Sequence, residues 1–316
     1  MAMDGVRIAD LKEGMICDGT YILKEAVMKK TNAGKYYIDI LFMDNTGEAG
    51  AKKWDASNED MARLKPNNLY LVNVKVQMWQ GKMQLNINGI RPAPPEVQER
   101  IAEFVPSAPL SPAEMMETVK EYIGKINNSD LSRLVSSIYN DYREKLVYYP
   151  AAKSLHHAVR SGYLYHITTM LRTAEKISEV YESIDTDLLY TGVLLHDVMK
   201  LEELDSTELG IADYSIEGQL LGHIEMGVSK VDEKQREMEL DEKTCLLVKH
   251  MILSHHQIPE YGSPKPPMFL EAELLHYIDL IDARVFDFES AYRTVLPGEM
   301  TEKIWSLDRR VLNPDY

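Results

Sequence analysis

The chain has 316 residues, a length that predicts about two domains at roughly 100–200 residues each. Hydrophobic residues make up 45% and charged residues 27%, which is the balance of a soluble globular protein and not of a disordered one. No apolar run reaches the roughly 18–20 residues that cross a bilayer, and the N-terminus has no signal-peptide pattern. We therefore expect a cytoplasmic protein without a membrane partner.

The distribution of charge is more informative than the net charge of -15. Residues 1–95 hold 13 Lys and Arg against 11 Asp and Glu, so the negative charge falls on the rest of the chain. A nearly neutral N-terminal part can still carry basic patches that contact phosphates, and an acidic C-terminal part is compatible with a carboxylate-containing metal site. The two cysteines, Cys17 and Cys245, match no metal or redox spacing and are interpreted as reduced structural thiols.

Residues 15–91 are predicted to form strands, because short runs with alternating or β-branched residues are separated by turn-like stretches. Between the third and fourth runs, Ser57–Leu64 is predicted as a short helix with Ser57 as its N-cap and Asp60 three positions later. Five strands with a helix between the third and fourth is the layout of an OB-fold barrel, which we predict over residues 1–92. The predicted strands are Tyr21–Met28, Lys35–Met43, Ala49–Trp54, Leu69–Met78 and Lys82–Ile90.

A proline-rich linker is predicted at 93–112 and an all-α domain over 113–316. Residues 92–112 hold six of the 14 prolines, interrupted by a short helical stretch near Val97–Phe104. Ser111-Pro112-Ala113-Glu114 is a helix-start pattern, and Ser129-Asp130-Leu131 opens another helix. Long segments with helical periodicity follow at 159–182, 185–200, 214–229, 240–255 and 268–293.

All nine histidines lie between positions 156 and 276. Buried or capping histidines are ordinary in a helical bundle, which explains any one of them better than it explains the set. In chain order the candidates are His, His-Asp, His, His-His and Asp, and this mixture suits divalent metals such as Mn, Fe, Co, Ni or Zn. Asp197 and Asp279 lie beside apolar stretches, where a carboxylate is costly unless it is paired or bound to a cation. The candidate residues are His166, His196, Asp197, His223, His255, His256 and Asp279.

The His196-Asp197 pair is the centre of this pattern. Neighbours on a helix point about 100° apart, but at a helix end inside a bundle both can face one cavity. Asp197 could then bridge two metals about 3.5–4 Å apart, an arrangement that activates a water and neutralises charge on phosphoryl oxygens. Lys200, one turn beyond His196, is a candidate to contact a phosphate or to orient the nucleophile. The alternative is a solvated lysine at a helix end.

The ordered string of His, His-Asp, Lys, His, His-His and Asp resembles the HD-domain phosphohydrolase superfamily. Together with the barrel it resembles the YhaM family of 3′-5′ exoribonucleases, which join an OB-fold to an HD domain, and the resemblance covers nearly the whole chain. The supporting strings are Gly34-Lys35-Tyr36-Tyr37, Asp44-Asn45-Thr46-Gly47, Ala51-Lys52-Lys53-Trp54, Phe104-Val105-Pro106, Tyr261-Gly262-Ser263-Pro264-Lys265, Glu271-Ala272 and Leu307-Asp308-Arg309-Arg310.

The resemblance implies that the seven candidate residues are metal ligands. We expect Asp197 and Lys200 to be the catalytic residues, and manganese to be the first choice of ion, with Fe, Co, Ni or Zn as alternatives. It also implies 3′-to-5′ attack on single-stranded RNA or DNA. Two positions depart from the family pattern: Tyr165 stands where an acid is expected before His166, and Gln257 stands where a glycine is expected after His256. The departures bear on substrate preference and rate more than on metal binding.

Other residues near the candidates have open roles. His156 and His157 either face the mouth of the site, with Arg160 as a phosphate contact, or are surface residues at a helix start. His250 is interpreted as structural. His276 is a candidate to support a ligand from behind, and Asp282 is the alternative to Asp279 as the final ligand, since both are three residues from Asp279 on the same helix.

For the barrel we predict a strand-binding face formed by Tyr37, Lys53 and Trp79, because OB-folds stack bases on exposed aromatic rings beside basic side chains. Alternation sends neighbouring side chains to opposite faces, so only one of Tyr36 and Tyr37 is expected to be exposed. The alternative is a barrel that only packs against the helical domain.

Three functions compete. The first is an exoribonuclease in which the barrel supplies a single strand to a two-metal centre. The second is an HD phosphohydrolase that acts on a nucleotide or cyclic dinucleotide, with a regulatory barrel. The third is a strand-binding protein with a vestigial site. The complete ligand set argues against the third and the barrel against the second, so we favour the exoribonuclease. The oligomeric state stays open, and a homo-oligomer is compatible with the sequence.

Overall fold

The computed structural model describes residues 5–31, 33–79, 81–153 and 157–315. The chain divides into two compact units, and the boundary lies between Ser107 and Ala108. This boundary falls inside the segment 93–112 that the sequence predicts as a linker. No helix in the described ranges combines the length and the apolar character that crossing a membrane requires.

The N-terminal unit is a closed five-stranded barrel with the strand order β1-β2-β3-β5-β4. This order, with a short helix α1 between β3 and β4, is the OB-fold topology and confirms the predicted fold. Helix α1 begins after Ser57, whose side chain accepts a hydrogen bond from the backbone of Asp60, as predicted. The elements are β1 (Ile16–Lys30), β2 (Tyr36–Asp44), β3 (Gly47–Trp54), α1 (Asn58–Arg63), β4 (Leu69–Trp79) and β5 (Lys82–Pro92).

Alternation along the strands separates the barrel core from its outer face. In β2 the side chains of Ile38, Ile40 and Phe42 are buried, so Tyr37 and Asp39 between them point outward. In β3 the buried residues are Ala49 and Ala51. Strand β3 pairs with β2 on one side and runs parallel to β5 on the other.

The first half of the predicted linker packs onto the barrel. Helix α2 (Pro95–Gln98) is followed by a turn of 3-10 helix at Ile101–Phe104. The amide of Gln98 accepts a hydrogen bond from the backbone nitrogen of Leu69 and donates one to its carbonyl oxygen, at 3.0 and 2.7 Å. These two bonds satisfy the backbone N–H and C=O groups of Leu69, the first residue of β4.

The C-terminal unit is helical, as predicted, apart from a two-stranded hairpin that the sequence analysis missed. Ser111 caps the first helix through a capping box with Glu114, which confirms that helix start. The buried core extends from Met115 to Ile278. The elements are α3 (Pro112–Lys125), α4 (Ser129–Asp141), α5 (Arg143–Leu146), α6 (Gly162–Val180), α7 (Thr186–Leu195), α8 (Lys200–Glu203), β6 (Leu204–Ser206), β7 (Ala212–Tyr214), α9 (Ile216–Met238), α10 (Glu242–Ser254) and α11 (Leu270–Tyr292).

Candidate metal centre and strand-binding face

Five helices of the C-terminal unit bring the seven candidate ligands together. His166 lies in the second turn of α6, and Asp279 lies in the middle of α11. Helix α7 ends at Leu195, and α10 ends at Ser254, so His196-Asp197 and His255-His256 lie at helix ends, where neighbouring side chains can face one cavity. His223 follows Gly222, which breaks α9 with a φ of 74° that glycine adopts readily.

The candidate ligands form two groups that share Asp197. In one group, His166, His196 and Asp197 offer ligand atoms within 4.8 Å of one another; in the other, Asp197, His223, His255 and His256 do so. Asp279 borders the first group, with its Oδ1 3.5 Å from Nε2 of His166. In the second group, Oδ1 of Asp197 lies 3.2 Å from Nε2 of His223 and 3.6 Å from Nε2 of His255.

Three of the imidazoles are oriented by backbone carbonyls. The Nδ1 atoms of His196, His255 and His256 lie 2.9, 2.8 and 2.5 Å from the carbonyl oxygens of Val193, Ile252 and Tyr261. A carbonyl oxygen only accepts, so each Nδ1 carries the proton and each Nε2 presents a lone pair. This tautomer is the one that a metal ligand requires.

Two other imidazoles are oriented by carboxylates. Oδ2 of Asp282 lies 2.7 Å from Nδ1 of His166, and Oε1 of Glu203 lies 3.0 Å from Nδ1 of His223. The same oxygen of Glu203 also accepts the backbone N–H of His223 at 3.1 Å. A carboxylate on the far nitrogen of a ligating histidine fixes the ring and raises its basicity.

Polar atoms inside the cluster fit a cation. The Nε2 atoms of His196, His223 and His255 and the Oδ1 atom of Asp197 are buried and make no hydrogen bond with any described residue. A buried polar atom without a partner costs about 1–3 kcal/mol. Lone pairs from imidazole and carboxylate that converge in this way suit borderline divalent ions such as Mn, Fe, Co, Ni and Zn.

The ammonium of Lys200 lies 2.6 Å from Oδ2 of Asp197, inside the cluster. Burial favours the neutral acid of Asp197, but Lys200 and His196 outweigh burial and hold the pKa of Asp197 well below its usual range. Asp197 is therefore an anion in the folded protein.

Protonation of the histidines differs across the cluster. Burial, with the neighbouring His255, lowers the pKa of His256 to about 3. Burial alone would lower the pKa of His166. The nearby carboxylates, led by Asp282, outweigh burial, so the pKa of His166 is raised above its usual value.

The flanking residues contact ligand side chains or nearby backbone groups. Asp282, the alternative to Asp279, contacts His157 Nε2 at 2.7 Å and supports His166 from behind. His276 Nδ1 lies 2.7 Å from the carbonyl oxygen of His255, and His250 Nε2 accepts the backbone N–H of Met268. Arg160 donates from Nε to the carbonyl of Glu208, in the β6–β7 connection. His156 lies outside the described residues.

The two departures from the family pattern are both near this cluster. The ring of Tyr165 packs edge-on against His157 at 5.3 Å between ring centroids. Gln257 has a φ of 70°, a left-handed conformation in which a glycine is free of strain and a side chain is not.

The barrel has an aromatic and basic cluster on its outer face. Tyr37 pairs with Trp54 across β2 and β3, and their ring centroids are 5.0 Å apart. The ammonium of Lys52 lies 4.8 Å from the centre of the Tyr37 ring and 5.6 Å from that of Trp54. Asn86 of β5 accepts a hydrogen bond from the indole of Trp54 at 2.9 Å. We call Tyr37, Lys52, Trp54 and Asn86 the outer-face cluster.

Two of the three residues predicted for strand binding are compatible with that role, and the third differs. Trp79 is 61% exposed at the end of β4, and Tyr37 belongs to the outer-face cluster. Lys53 is two residues from the buried Ala51, so alternation assigns it to the same face of β3 as Ala49 and Ala51. Its ammonium lies 3.1 Å from the carboxylate of Asp60 in α1. Lys52 has the outward parity instead, and its ammonium lies beside the ring of Tyr37.

Glu203 is a further residue of the site that was not predicted from the sequence. A signal for it existed, since an acid one turn beyond Lys200 can reach the same cluster along a helix. The kink at Gly222 that brings His223 to Glu203 gives no comparable signal, because a glycine within a helical pattern does not reveal the φ it adopts.

The helical unit, with its His-Asp pair at a helix end and histidines converging from neighbouring helices, is an HD domain, and the family model described as HD domain matches residues 163–284. The chain is 37% identical over 289 residues to the 3′-5′ exoribonuclease YhaM of Bacillus licheniformis, covering 92% of this chain and 91% of the relative. The YhaM proteins of Bacillus velezensis and Bacillus subtilis strain 168 are 38% and 36% identical, each covering 93% of both chains. The chain belongs to the YhaM family of 3′-5′ exoribonucleases, which confirms the resemblance.

Among solved structures, the second OB-fold domain of replication protein A from Methanococcus maripaludis matches 28% of this chain and 92% of its own, with 13% identity and a TM-score of 0.24. The assignment of the barrel rests on its strand order.

Proposed function

We propose that this protein is a metal-dependent 3′-5′ exoribonuclease that hydrolyses phosphodiester bonds of single-stranded RNA, with single-stranded DNA as a second substrate. The observation that carries the proposal is that two groups of candidate ligands share the buried carboxylate of Asp197. The relatives named 3′-5′ exoribonuclease YhaM, which align over nine-tenths of the chain, support the same activity.

Two divalent ions, with manganese the first expectation, fit these groups. One ion would be held by His166, His196, Asp197 and Asp279, and the other by Asp197, His223, His255 and His256. When bound, the pair supplies Lewis-acid stabilisation of the phosphoryl oxygens and lowers the pKa of a water. The chain contributes the ligand tautomers, because Val193, Ile252 and Tyr261 keep the protons on Nδ1.

The reaction is a hydrolysis in which atoms balance simply. The oxygen of water bonds to phosphorus, the bond from phosphorus to the 3′ oxygen of the preceding nucleotide breaks, and a water proton ends on that 3′ oxygen. The terminal nucleotide leaves as a 5′-monophosphate. The ammonium of Lys200 lies 2.6 Å from Asp197, and we expect it to donate a hydrogen bond to a non-bridging phosphoryl oxygen.

The outer-face cluster of the barrel, with Trp79, is proposed to bind the strand. A tyrosine and a tryptophan ring beside an ammonium offer stacking for bases and charge for a phosphate, and neither contact depends on the base sequence. The neutral charge balance of this part of the chain favours such a contact over the acidic remainder.

The test uses purified full-length protein, Mn²⁺, 5′-labelled single-stranded RNA, the matching DNA and a panel of nucleotides and cyclic dinucleotides. We expect a ladder of products that shortens from the 3′ end. Turnover of a nucleotide without a ladder would replace the proposal with a small-molecule phosphohydrolase. Asp197→Ala should abolish the ladder, whereas Asp205→Ala, which removes an exposed carboxylate of β6, should not; a fully active Asp197→Ala protein would contradict the assigned centre.

A further inference from the structure

A cavity of about 470 Å³ opens directly beside the candidate metal centre. His255, His256 and Asp279 form one side of it, and the exposed surface of its walls is predominantly apolar. Ile258 and Leu280 contribute to these walls, and Arg284 brings a positive charge to the lining. A volume of this size lies within the range of small-molecule sites, which combine apolar walls with a few polar groups.

Gln257 supplies one of the few polar groups of this cavity. It follows His256 directly and lines the cavity together with it. Its side-chain amide makes no hydrogen bond with any described residue, so both its donor and its acceptor are available to a ligand. The cavity therefore has an uncommitted amide next to a candidate ligand of the metal centre.

The backbone conformation of Gln257 is independent evidence that its side chain has a function. Its φ of 70° lies in the left-handed region just after the end of α10, a place where glycine is the most common residue. A glutamine there is strained. The backbone N–H of Gln257 donates to the carbonyl oxygen of Ser254 at 2.8 Å, a bond that a glycine would also make. The glutamine side chain adds no hydrogen bond with a described residue that would offset the strain. Strained residues at the edge of a functional site point to a function for the side chain.

We propose that the cavity binds the 3′-terminal nucleoside of RNA, and that the amide of Gln257 hydrogen-bonds the 2′-hydroxyl of its ribose. This inference rests on the proposed exoribonuclease function. The sugar is the part of a nucleotide next to its phosphate, and Gln257 is next to His256, so the amide reaches the sugar before the base. An amide can accept from a hydroxyl and donate to it, and the 2′-hydroxyl is the group that distinguishes RNA from DNA.

The apolar walls of the cavity then contact the base of the nucleoside without distinguishing one base from another. Ile258 and Leu280 offer contact surface and no hydrogen-bonding side-chain groups, so any of the four bases fits the same contact. Selectivity in this cavity therefore falls on the sugar and not on the sequence.

The first experiment compares two RNA oligonucleotides that differ only in a 2′-deoxy sugar at the 3′-terminal nucleotide. For the wild-type protein we expect kcat/KM for the first cleavage to be about 3- to 10-fold higher on the all-ribose strand, which corresponds to one hydrogen bond. In Gln257→Gly the two rates should converge toward the lower value, while Tm stays the same or rises because the strain is relieved.

Glu239→Gly is the matched control, because Glu239 also has a left-handed φ, of 53°, at the end of α9. It should relieve comparable strain and leave the ratio of the two rates unchanged. A ratio near one in the wild-type protein, or an unchanged ratio in Gln257→Gly, overturns the inference.

A binding measurement separates this inference from the proposed function. Calorimetric titration of the full-length protein in the presence of Mn²⁺ with adenosine 5′-monophosphate and its 2′-deoxy analogue should give a Kd ratio of about 3- to 10-fold in the wild-type protein and near one in Gln257→Gly. If no 3′ ladder forms but the Kd ratio is observed, the proposed exoribonuclease activity is refuted and recognition of the 2′-hydroxyl in the cavity is retained. If a ladder forms but the two Kd values are equal, the exoribonuclease activity is supported and recognition of the 2′-hydroxyl by Gln257 is refuted.

Discussion

Oδ2 of Asp282 lies 2.7 Å from Nδ1 of His166, so a carboxylate that is itself one turn from Asp279 holds the ring of a candidate ligand from behind. Without this contact the His166 ring loses the carboxylate on its Nδ1, which helps to fix the orientation of the ring. We predict that Asp282→Asn weakens divalent-metal binding by roughly 10- to 100-fold, as measured by calorimetry with Mn²⁺. Glu289→Gln, which removes an exposed charge from the same helix, should leave the affinity unchanged; equal affinity in Asp282→Asn would assign that residue a purely structural role.

Glu203 supports the second group of ligands and not the first. Its Oε1 contacts both Nδ1 and the backbone N–H of His223, and neither His166 nor His196 depends on it. Glu203→Gln should therefore weaken the binding of one ion by about 10-fold or more and leave the other unchanged. The check is the stoichiometry of bound Mn²⁺ at a fixed free concentration, with the neighbouring, more exposed Glu202→Gln as control. Equal weakening of both ions would contradict two separate groups.

The adjacent lysines of β3 should behave differently in RNA binding. Lys52 belongs to the outer-face cluster, whereas Lys53 pairs with Asp60. Lys52→Ala should weaken binding of single-stranded RNA and reduce the salt slope of log K by about 0.7, the value for one phosphate contact. Lys53→Ala should keep the slope and lower Tm slightly, because it loses an ion pair. If both variants weaken RNA binding and reduce the salt slope equally, the RNA does not bind at the outer-face cluster.

Trp54→Ala tests the stacking part of the same surface. A base stacked on the ring contributes about 1–3 kcal/mol, so Kd for a short oligonucleotide should rise correspondingly. Trp305, which is 83% exposed in the C-terminal unit, provides the control substitution to alanine. If Trp305→Ala weakens RNA binding as much as Trp54→Ala does, the loss does not report on the outer-face cluster.

A pH dependence is expected where α3 meets α6. Lys125 and Tyr122 donate hydrogen bonds to Glu175 and lower the pKa of its carboxyl below the usual 4.5. A lowered pKa in the folded state contributes stability above about 4.5, and this contribution is lost as pH falls through the folded-state value. The side chain is 32% exposed and screened by solvent, so the effect stays below about 1 kcal/mol.

The check is urea denaturation of the wild-type protein and Glu175→Gln across this acidic range. The difference in unfolding free energy between the two should be largest near neutral pH and shrink as the medium becomes more acidic. Glu179→Gln, on the same helix and in an exposed pair with Lys176, should show a smaller difference. A gap between wild type and Glu175→Gln that grows toward low pH would reverse the sign of the assigned shift.

The fold was predictable from the sequence because its signals are local. Alternation and turn residues define the strands, and the capping boxes at Ser57 and Ser111 mark helix starts. The candidate ligands could also be predicted from the sequence, since a His-Asp pair and clustered histidines are visible in order along the chain. Tertiary packing, which the order along the chain does not specify, brings the ligand atoms within each of the two groups to 4.8 Å or less from one another.

The supporting residues were not predictable in the same way. Asp282 and Asp279 share a helix face, and only the position of α6 decides which of them lies behind His166. Glu203 reaches His223 because Gly222 adopts a positive φ, a backbone choice that no side-chain pattern records. The hairpin β6–β7 is too short for periodicity to reveal, with three residues in each strand.

The barrel and the helical unit have separate apolar cores, one drawn from residues between Ile8 and Leu85 and the other from residues between Met115 and Ile278. Each core can melt as its own cooperative block, so a calorimetric scan of the whole chain can resolve into two endotherms. Because the candidate ligands all belong to the second block, Mn²⁺ should move only that endotherm to higher temperature, by mass action on the folded form. Heat resistance in this chain would then depend on metal supply for one half and on sequence alone for the other.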